Sequence, residues 1–439
     1  MIFQFLAELN YGILLTSLTI LCLFGIHYAW LVMRLLRYRR ASLAEEARIL
    51  NTPLPADALL PHVLVQIPTF NEHNLVWRVA EAVGRFDWPK DRLHIQILDD
   101  STDGSVSFAE QAISTLQQQD IDAVLLHRKN RNGFKAGALA EGLKRSNHEY
   151  VVIFDVDYIP SPDFLRLAMR PLLRDPSLAF VQARLDFINA DDNLATRVQR
   201  RFLDSIFAIE RPARNWSGYY TQFNGTCGIF RRAAIDEAGG WLGDTLTEDI
   251  DLSYRIHLLG WRSFLLITVT VPGELPTTFK VFQTQLFRWT KGSAECAIKF
   301  LPQCWYSHIA LRDKLDSTAL FCFAFLAPIL SVTAITALVN LTDGVGPTRV
   351  GVALAVIASL VGITVQSVMI LLGQKFVRNV NLFREALELP LTFLLIQYVF
   401  LKSLNATIQA CLRHNTAFVR TSKKRIEADE HGSRVKDLP

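Results

Sequence analysis

Long apolar runs near both ends of the chain restrict its fold more than any other feature. The run at residues 12–33 is long and apolar enough to cross a bilayer as one helix, and further runs of similar length lie after residue 318. In lipid every backbone polar group needs a partner within the protein, so such runs fold as helices. The middle of the 439-residue chain has the composition of an ordinary globular domain. We therefore expect a globular domain flanked by membrane helices.

The charges beside the first run predict its orientation. No Lys or Arg precedes the run, and four arginines follow it at once: Arg34, Arg37, Arg39 and Arg40. The positive-inside rule therefore places the N-terminus outside and the next residues in the cytoplasm. The run is also too long for a secretory signal. We interpret residues 1–40 as a transmembrane anchor and residues 41–60 as a short amphipathic or linker segment.

Two further runs, Ala319–Leu341 and Val350–Leu372, are predicted to span the membrane. The second is followed by Lys375, Arg378 and Arg384. These charges place residues 374–387 in the cytoplasm, which agrees with the orientation of the anchor.

A third run, Leu389–Cys411, is less regular and carries Pro390, Gln397, Lys402 and Asn405. A full crossing would place the basic tail at 413–439 outside, against the positive-inside rule. The run therefore spans the membrane, lies re-entrant or interfacial, or turns its polar residues toward a passage. We predict transmembrane helices over 316–412 and a cytoplasmic tail.

The middle of the chain alternates between short apolar runs and helix-like segments. The run Val151–Asp157, which ends in two aspartates, is apolar enough to form a strand buried on both faces. Such alternation is typical of a parallel sheet with helices on both faces, so we predict an α/β domain over 61–275. The predicted strands are 62–68, 93–98, 123–127 and 151–157, and the predicted helices are 74–86 and 135–144.

Polar residues follow three of these strands at the point where each strand ends. They are Thr69–Glu72, Asp99–Thr102 and Asp155–Asp157. Ligands of open α/β sheets bind at this edge, so the pattern indicates a nucleotide site. Asp155 and Asp157 offer the hard oxygen ligands that Mg²⁺ and Mn²⁺ prefer. The alternative for this pair is a solvated turn at a strand end.

Other features narrow the class of function. The basic loop Arg128–Lys135 precedes a helix, where charge and helix dipole favour a phosphate, unless the loop is only a solvated turn. The chain has no Walker A or Gly-x-Gly-x-x-Gly motif, which argues against a P-loop ATPase or a dinucleotide oxidoreductase. The net charge of +4 is too small to argue for a class of partner, and we expect no nucleic-acid partner. The six cysteines show no Cys-x-x-Cys spacing and are expected to be free.

The chain carries an ordered series of motifs: Ile67–Glu72, Leu98–Asp103, Lys135–Leu139, Asp155–Asp157, Phe223–Gly228, Gly239–Trp241, Thr245–Asp249 and Gln285–Trp289, then Lys291-Gly292. This series resembles the inverting family 2 glycosyltransferases, which have the GT-A fold. Gln285–Trp289 is similar to the Gln-x-x-Arg-Trp signature of processive enzymes such as cellulose, chitin and hyaluronan synthases. Glu274–Pro276 and Gly292–Cys296 resemble the cellulose-synthase-like branch, which makes mannan or glucan backbones.

The diphosphate leaving group of a nucleotide-sugar donor needs charge neutralisation as the glycosidic bond breaks. A Mg²⁺ or Mn²⁺ ion on Asp157, with Asp155 close by, is predicted to supply it as a Lewis acid. Lys135 is expected to add a positive charge. The resemblance implies that Asp99 and Asp100 contact uracil or ribose. The other predicted nucleotide-sugar contacts are Thr69, Asn71, Glu72 and Arg288.

An inverting transfer needs one base to take the proton of the acceptor hydroxyl. Our candidate is Asp249, with Glu248 beside it, at the start of a predicted helix. The alternative is that Glu248, Asp249 and Asp251 only cap that helix. The helix dipole lowers the pKa of Asp249, so desolvation must oppose it if Asp249 is to act as a base near neutral pH.

The predicted acceptor site combines a helix face and a loop. Gln285, Arg288 and Trp289 fall on nearly one face of a helix, and Trp289 offers a flat apolar surface for a sugar ring. The predicted loop contacts are Asn224, Gly225 and Thr226. Three aromatic residues just before this loop either add to the lining or pack in the core: Trp216, Tyr219 and Tyr220. Residues 276–315, which include the helix, are predicted to form amphipathic helices at the membrane surface.

Together these features predict a multi-pass glycosyltransferase of the plasma membrane, which is the inner membrane in a bacterium. Its catalytic domain is expected to lie in the cytoplasm. The resemblance implies transfer of a hexose from UDP-glucose or GDP-mannose to a growing β-linked polysaccharide, processively and coupled to export. Accessory export subunits or a homo-oligomer are expected partners. One rival is a single-addition transferase acting on a ceramide or a polyprenyl phosphate, and another is a membrane scaffold with an inactive transferase domain.

Overall fold

A computed structural model describes residues 2–342, 349–378 and 380–412. The predicted basic tail at 413–439 and residues 343–348 lie outside the described residues.

The central domain contains a seven-stranded sheet with strand order β3-β2-β1-β4-β6-β5-β7. The first four strands in this order run parallel, β6 is antiparallel to both of its neighbours, and β7 is parallel to β5. The three strands predicted to end in polar residues are β1, β2 and β4, and they are direct neighbours. The strands are β1 (Val63–Thr69), β2 (Leu93–Asp99), β3 (Asp122–His127), β4 (Tyr150–Ile153), β5 (Leu178–Phe187), β6 (Gly228–Arg231) and β7 (Arg262–Gly273).

Helices cover both faces of the sheet and extend from it at both ends of the chain. The helices are α1 (Ile2–Leu50), α2 (Asn74–Gly84), α3 (Val106–Gln118), α4 (Phe134–Lys144), α5 (Phe164–Arg174), α6 (Leu194–Ser205), α7 (Arg211–Trp216), α8 (Arg232–Glu237), α9 (Glu248–Leu258), α10 (Phe279–Tyr306), α11 (Leu311–Cys322), α12 (Leu326–Thr342), α13 (Arg349–Val377), α14 (Leu382–Lys402) and α15 (Leu404–Cys411). A π-helical turn at Ile206–Glu210 joins α6 to α7.

The alternation of side chains along the strands builds one apolar core on each face. Val65 and Val152 belong to a cluster that packs under α2, α3 and α5, whereas Leu64 and Val151 belong to a second cluster with Leu139 of α4. Because both faces are covered, nearly every residue of β1 and β4 is buried. A ligand therefore reaches the polar strand ends along the edge where the strands terminate.

Helix α1 runs without a break for 49 residues and includes the first half of the segment that we predicted to be a linker. Residues 34–50 are rich in Leu, Ala, Arg and Glu, which favour helix, and the first proline after the apolar run is Pro53. Its last turns are fixed to the sheet, because Glu46 accepts hydrogen bonds from the backbone N–H groups of Ile267 (3.1 Å) and Thr268 (2.8 Å). The anchor and the domain are therefore mechanically continuous.

Within the described residues, four helical segments are long and apolar enough to cross a bilayer: Gln4–Leu50, Leu311–Asn340, Gly351–Val377 and Leu382–Cys411. The protein is thus a membrane protein. Helices α1 and α13 approach closely at Gly25, where an added Cβ would lie 2.8 Å from Val361 Cγ1. Arg378, the residue after α13, contacts the globular domain, because it pairs with Asp186 at 2.6 Å.

Helix α14 begins seven residues before the irregular third run that we identified in the sequence. Its first turns are bound to α6 by a buried ion network, in which Arg201 pairs with Glu385 and Glu388 at 2.6 Å each. Removing one member of such a network leaves an uncompensated buried charge, so the network fixes how α14 sits on the domain. Further along, Phe400 packs edge-on against Phe202 of α6 at 5.8 Å between ring centroids.

Candidate active site

A cavity of about 390 Å³ opens where β1 and β4 end, between the sheet and helices α9 and α10. Nearly all the residues predicted for the site line it, although they come from distant parts of the chain. They are Thr69, Glu72, Asp100, Lys135, Asp155, Asp157, Asn224, Gly225, Thr226, Glu248, Asp249, Gln285, Arg288 and Trp289. The parallel strands and the docking of α10 bring together these residues.

Lys135, in the first turn of α4, joins the elements around the cavity. Its Nζ donates to Asp155 Oδ1 at 2.6 Å and to the backbone carbonyl of Gly225 at 2.9 Å, and it lies 3.7 Å from Glu248 Oε1. Desolvation lowers the pKa of Lys135, but Asp155 and Glu248 outweigh it and the net pKa is raised. The ammonium group therefore stays charged and holds two carboxylates and one loop at the same point.

The loop that contains Asn224, Gly225 and Thr226 passes close to the acidic residues. Gly225 has a φ of +78°, and an added Cβ would lie 3.1 Å from Asp249 Oδ2. The backbone N–H of Asp155 donates to Thr226 Oγ1 at 2.9 Å. Any side chain at residue 225 would therefore be strained and would crowd the Asp249 carboxylate.

Asp155 and Asp157 both line the cavity, as the predicted metal site requires. Asp157 is 8% exposed, and the Asp155 side chain is 35% exposed, with one oxygen on Lys135. Two neighbouring carboxylates at the cavity wall are the donor type that Mg²⁺ and Mn²⁺ take, so these residues fit a hard divalent cation.

The residues at the end of β2 are held by their neighbours, and only some of them reach the cavity. Both oxygens of Asp100 accept from Arg128, with Nε at 2.6 Å from Oδ1. Asp99 lies behind it, with Oδ2 2.6 Å from His127 Nδ1. Asn71 accepts from the backbone N–H of Thr102 at 2.9 Å. Asp100 therefore lines the cavity, whereas the structure places Asp99 and Asn71 outside the lining, where they fix the loops around it.

Glu248 and Asp249 point into the cavity from the start of α9. Desolvation and the neighbouring Glu248 carboxylate raise the pKa of Asp249 to about 7. Desolvation also raises the pKa of Glu248, against the attraction of Lys135. The sequence required desolvation to oppose the helix dipole, and the structure provides it. Asp251 has a different role, since it is fully buried and pairs with Arg255 and Lys299.

Helix α10 is brought against α9 by a close contact at Gly292. An added Cβ there would lie 2.5 Å from Thr247 Cγ2, so only glycine allows this approach. Glu295 strengthens the junction by accepting from the backbone N–H of Leu246 at 2.8 Å. The contact sets the face of α10 that carries Gln285, Arg288 and Trp289 along the cavity. Desolvation lowers the pKa of Arg288, and the nearby Glu248, Asp155 and Asp157 oppose this shift.

The structure adds Arg211 to the site, which the sequence analysis did not single out. Arg211 follows the π-helical turn and lines the cavity. Desolvation lowers the pKa of its guanidinium, and the charges of Glu210 and Asp249 oppose this shift. Within the described residues, its buried Nε and Nη1 atoms have no hydrogen-bond partner. A π-helical turn shifts the side chains after it around the helix axis and often marks a functional site. The sequence 206–211 reads as ordinary helix, so no local signal identifies this residue.

Three aromatic residues proposed as a lining pack elsewhere. Tyr220 stacks on His257 with ring centroids 4.8 Å apart, and Trp216 and Tyr219 pack against the cluster that includes Tyr28 of α1. The structure therefore supports core packing for this group. The apolar part of the lining comes instead from α6, the π-helical turn, the end of α11 and the 3₁₀ turn that follows it (Phe323–Phe325). The residues are Phe202, Leu203, Ile206, Phe207, Leu320, Phe321, Phe323 and Ala324.

Comparison with known proteins identifies the domain. The family model described as "Glycosyltransferase like family 2" matches residues 61–292, more than half of the chain. Glucomannan 4-beta-mannosyltransferase 2 of Arabidopsis thaliana is 42% identical over 281 residues, which cover 60% of this chain and 53% of the relative. Glucomannan 4-beta-mannosyltransferase 1 of Oryza sativa subsp. japonica is 41% identical over 259 residues, 57% of this chain and 50% of the relative. The chain thus spans about half the length of the curated relatives it matches.

A solved structure shows the same architecture. It is a mannosyltransferase from Pyrobaculum calidifontis in complex with GDP-Man and Mn²⁺, with a TM-score of 0.58 and 20% identity over 90% of this chain and 100% of that chain. At this identity the similarity concerns the fold. It confirms the predicted α/β domain of the GT-A type, and the long apolar helices accompany that domain as predicted.

The raised pKa of Asp249 predicts a pH-dependent gain in stability for Asp249→Asn. Because the folded-state pKa lies above that of the unfolded chain, ionised Asp249 destabilises the fold above about pH 7, and protonation removes this cost as the pH falls. We expect the Asn variant to be roughly 1–3 kcal/mol more stable than the wild type at pH 8 and to lose this advantage as the pH falls from about 7 to about 4, the pKa of an aspartate in the unfolded chain.

Thermal unfolding of the full chain in detergent at several pH values measures this difference. The matched control is Asp192→Asn, because Asp192 is exposed on the surface, where water solvates its carboxylate. An Asp249→Asn variant that is no more stable than the wild type at pH 8 would show that Asp249 ionises without cost.

Proposed function

The chain belongs to glycosyltransferase-like family 2, and from this premise we propose that it is a membrane-bound inverting hexosyltransferase. The proposed donor is a nucleotide-diphosphate sugar. GDP-mannose is the first candidate and UDP-glucose the second. The observation that carries the proposal is the single cavity in which Lys135, Asp155, Asp157, Glu248 and Asp249 meet. The motif order alone did not require these side chains to share one space.

The positive groups of the cavity are arranged to hold a sugar diphosphate. Lys135 presents a fixed ammonium, and Arg288 presents a desolvated guanidinium on the opposite helix. Charge neutralisation of the leaving group is the main task in breaking a glycosidic bond to a phosphate. Asp155 and Asp157 would hold a Mg²⁺ or Mn²⁺ ion, which when bound supplies Lewis-acid stabilisation to the same phosphates. The Mn²⁺ in the complex of the similar mannosyltransferase is in keeping with this choice.

Asp249 is proposed as the base. A carboxylate with a pKa near 7 is ionised for about half of the time at neutral pH and is still basic enough to accept a proton from a sugar hydroxyl. Glu248 raises that basicity by like-charge repulsion and is itself held by Lys135. Asp249 therefore takes the acceptor proton while Glu248 tunes and positions it.

The acceptor is proposed to enter along α10. Trp289 gives a flat surface for a sugar ring, and Gln285 lies one turn earlier on the same face. Arg211 has two hydrogen-bond donors near Asp249 that lack a partner in the described residues, and they suit an acceptor hydroxyl or ring oxygen beside the base. Asn224, Gly225 and Thr226 close the opposite side.

We further propose that the product is a β-linked mannan-type or glucomannan-type chain, extended processively and coupled to export. The names of the relatives reported above and the Gln285–Trp289 element support this reading. Accessory export subunits or a second copy of the chain are part of the proposal.

A single addition to a membrane lipid is the second candidate, and one observation favours it. The cavity continues into apolar side chains from α11 and the π-helical turn, and Tyr28 of the membrane anchor also reaches it. A lipid-linked acceptor such as a polyprenyl phosphate or ceramide would find an apolar surface there.

The contacts of α14 and α15 suggest the topology. Phe400 of α14 belongs to the core cluster of the globular domain, and Thr407 of α15 donates to the carbonyl of Ala324 at 2.9 Å. The middle and the last turns of the third run therefore touch the rest of the structure near the domain. We propose that α1, α12 and α13 cross the plasma membrane, the inner membrane in a bacterium, and that α14 and α15 lie at its cytoplasmic surface. This arrangement satisfies the positive-inside rule for the basic tail.

Transfer of labelled sugar tests the catalytic proposal. Purified full-length protein with GDP-[¹⁴C]mannose or UDP-[¹⁴C]glucose and Mn²⁺ or Mg²⁺ should give labelled product. Asp157→Asn, Asp249→Asn and Trp289→Ala should each reduce the rate, with Asp249→Asn losing about 10²–10⁴-fold at unchanged donor affinity. Asp192→Asn is the control. A wild-type rate in the Asp249 variant would remove it as the base.

The length of the product separates the two candidates. A processive polymerase should give long chains even when donor turnover is low, because the acceptor stays bound between additions. Size separation and mass spectrometry of the labelled product measure this, together with linkage analysis. A product of one sugar on an extractable lipid would replace the polymer proposal by the lipid one.

Thiol labelling tests the topology. Cys411 is exposed at the end of α15. A membrane-impermeant maleimide should label it only after the cells are permeabilised, and Cys411→Ser should abolish that difference. A cysteine introduced by Gln4→Cys, at the N-terminal end of the anchor helix α1, should be labelled in intact cells. Labelling of Cys411 in intact cells would mean that the third run crosses the membrane.

A further inference from the structure

Three histidines meet at the edge of the sheet opposite the candidate active site. His62 precedes β1, His94 is the second residue of β2 and His148 precedes β4. Their side chains each present one ring nitrogen, and these nitrogens lie within 4.8 Å of one another. The six residue steps of β1 separate this edge from the cavity by ~20 Å at about 3.3 Å per residue.

We propose that His62, His94 and His148 bind a transition-metal ion of the Zn²⁺, Ni²⁺ or Cu²⁺ class. Imidazole nitrogen suits these ions, whereas Mg²⁺ and Mn²⁺ prefer oxygen. The site is therefore chemically different from the carboxylate pair in the cavity. It also lies at the opposite ends of the same strands and does not depend on the proposed transferase function.

The hydrogen bonds of His94 support the assignment. Its Nδ1 lies 2.6 Å from Asp122 Oδ2, and since a carboxylate can only accept, Nδ1 carries the proton. The neutral ring then has a lone pair on Nε2, which faces His62 Nδ1 at 3.0 Å. A carboxylate that orients a histidine in this way is the usual partner of a metal-binding imidazole, and it also raises its basicity.

The two other rings are placed to complete the set. His148 Nδ1 lies 2.6 Å from Ser146 Oγ, which fixes the ring, and its ring centroid is 3.9 Å from that of His94. His62 is exposed and the other two are partly exposed, so an ion and its remaining water ligands have access from solvent. Arg232 is a nearby cation, and it is engaged by Asp236 at 3.1 Å and by the carbonyl of Ser146.

The sheet gives this site a structural consequence. In the sheet β3, β2, β1 and β4 are consecutive, and His94 is in register with Asp122 of β3. An ion bound by the three histidines, with Asp122 behind His94, would join the amino ends of all four strands. A ligand that binds only the folded state stabilises it in proportion to its affinity and concentration.

Metal binding to the full-length protein in detergent tests the proposal. The protein is purified through a tag without histidine, and Mg²⁺ is kept in excess to occupy the carboxylate site. Titration with Ni²⁺ should show one tight site per chain and a rise in Tm. The His94→Asn and His148→Asn variants should lose both, and Asp122→Asn should weaken binding about 10–100-fold. His308→Asn, a histidine elsewhere in the chain, is the control.

A spectroscopic measurement identifies the ligands. With Cu²⁺ as the probe, the EPR spectrum of the wild type should show coupling to imidazole nitrogens, and His62→Asn should reduce the number of coupled nitrogens. Circular dichroism shows whether each variant is folded. Equal Ni²⁺ binding by folded wild-type and His94 variants, or a Cu²⁺ spectrum without nitrogen coupling, would overturn the proposal and leave a hydrogen-bonded histidine cluster.

Discussion

The arrangement of the candidate active site depends on one partly buried ammonium group, that of Lys135. Asp155, Glu248 and Asp249 come from a strand end and a helix start about 90 residues apart, and their carboxylates would repel one another in a shared cavity. Lys135 contacts two of them and also the carbonyl of Gly225. Removal of one partner from such a buried set costs more than the set itself contributes. Lys135 thus fixes the elements around the cavity, and its charge opposes the rise in the pKa of Asp249 that desolvation and Glu248 cause.

The globular domain and the membrane helices form one structure and not two units joined by a linker. Glu46 binds the backbone of β7, Arg378 pairs with Asp186 and Asp204, and Arg201 pairs with Glu385 and Glu388. Each contact joins one end of a long helix to the domain. The cavity is consequently lined on one side by charged strand ends and on the other by apolar side chains next to the membrane helices.

The sequence predicted the residues that obey simple periodic rules. The parallel strands were recognisable from apolar runs, and the ends of neighbouring parallel strands must meet, so Asp100, Asp155 and Asp157 were correctly expected near one another. The docking of Gln285–Trp289 required the motif order as well, because only tertiary contact at Gly292 brings α10 to the site. Arg211 was not predictable, since its position depends on a π-helical turn without a sequence signal. The histidine cluster was missed for a similar reason, because its members lie 32 and 54 residues apart and follow no motif.

The unbroken helix α1 constrains how a product can move. Because the anchor continues to Leu50 and Glu46 is hydrogen-bonded to β7, the domain cannot pivot relative to the lipid surface without breaking those bonds. The last turns of α1 and the sheet that carries the cavity therefore move as one body. Under the proposed polymer extension, the sugar chain itself would slide by one unit after each addition, past side chains such as Trp289 and Arg211, while the domain keeps its place on the anchor.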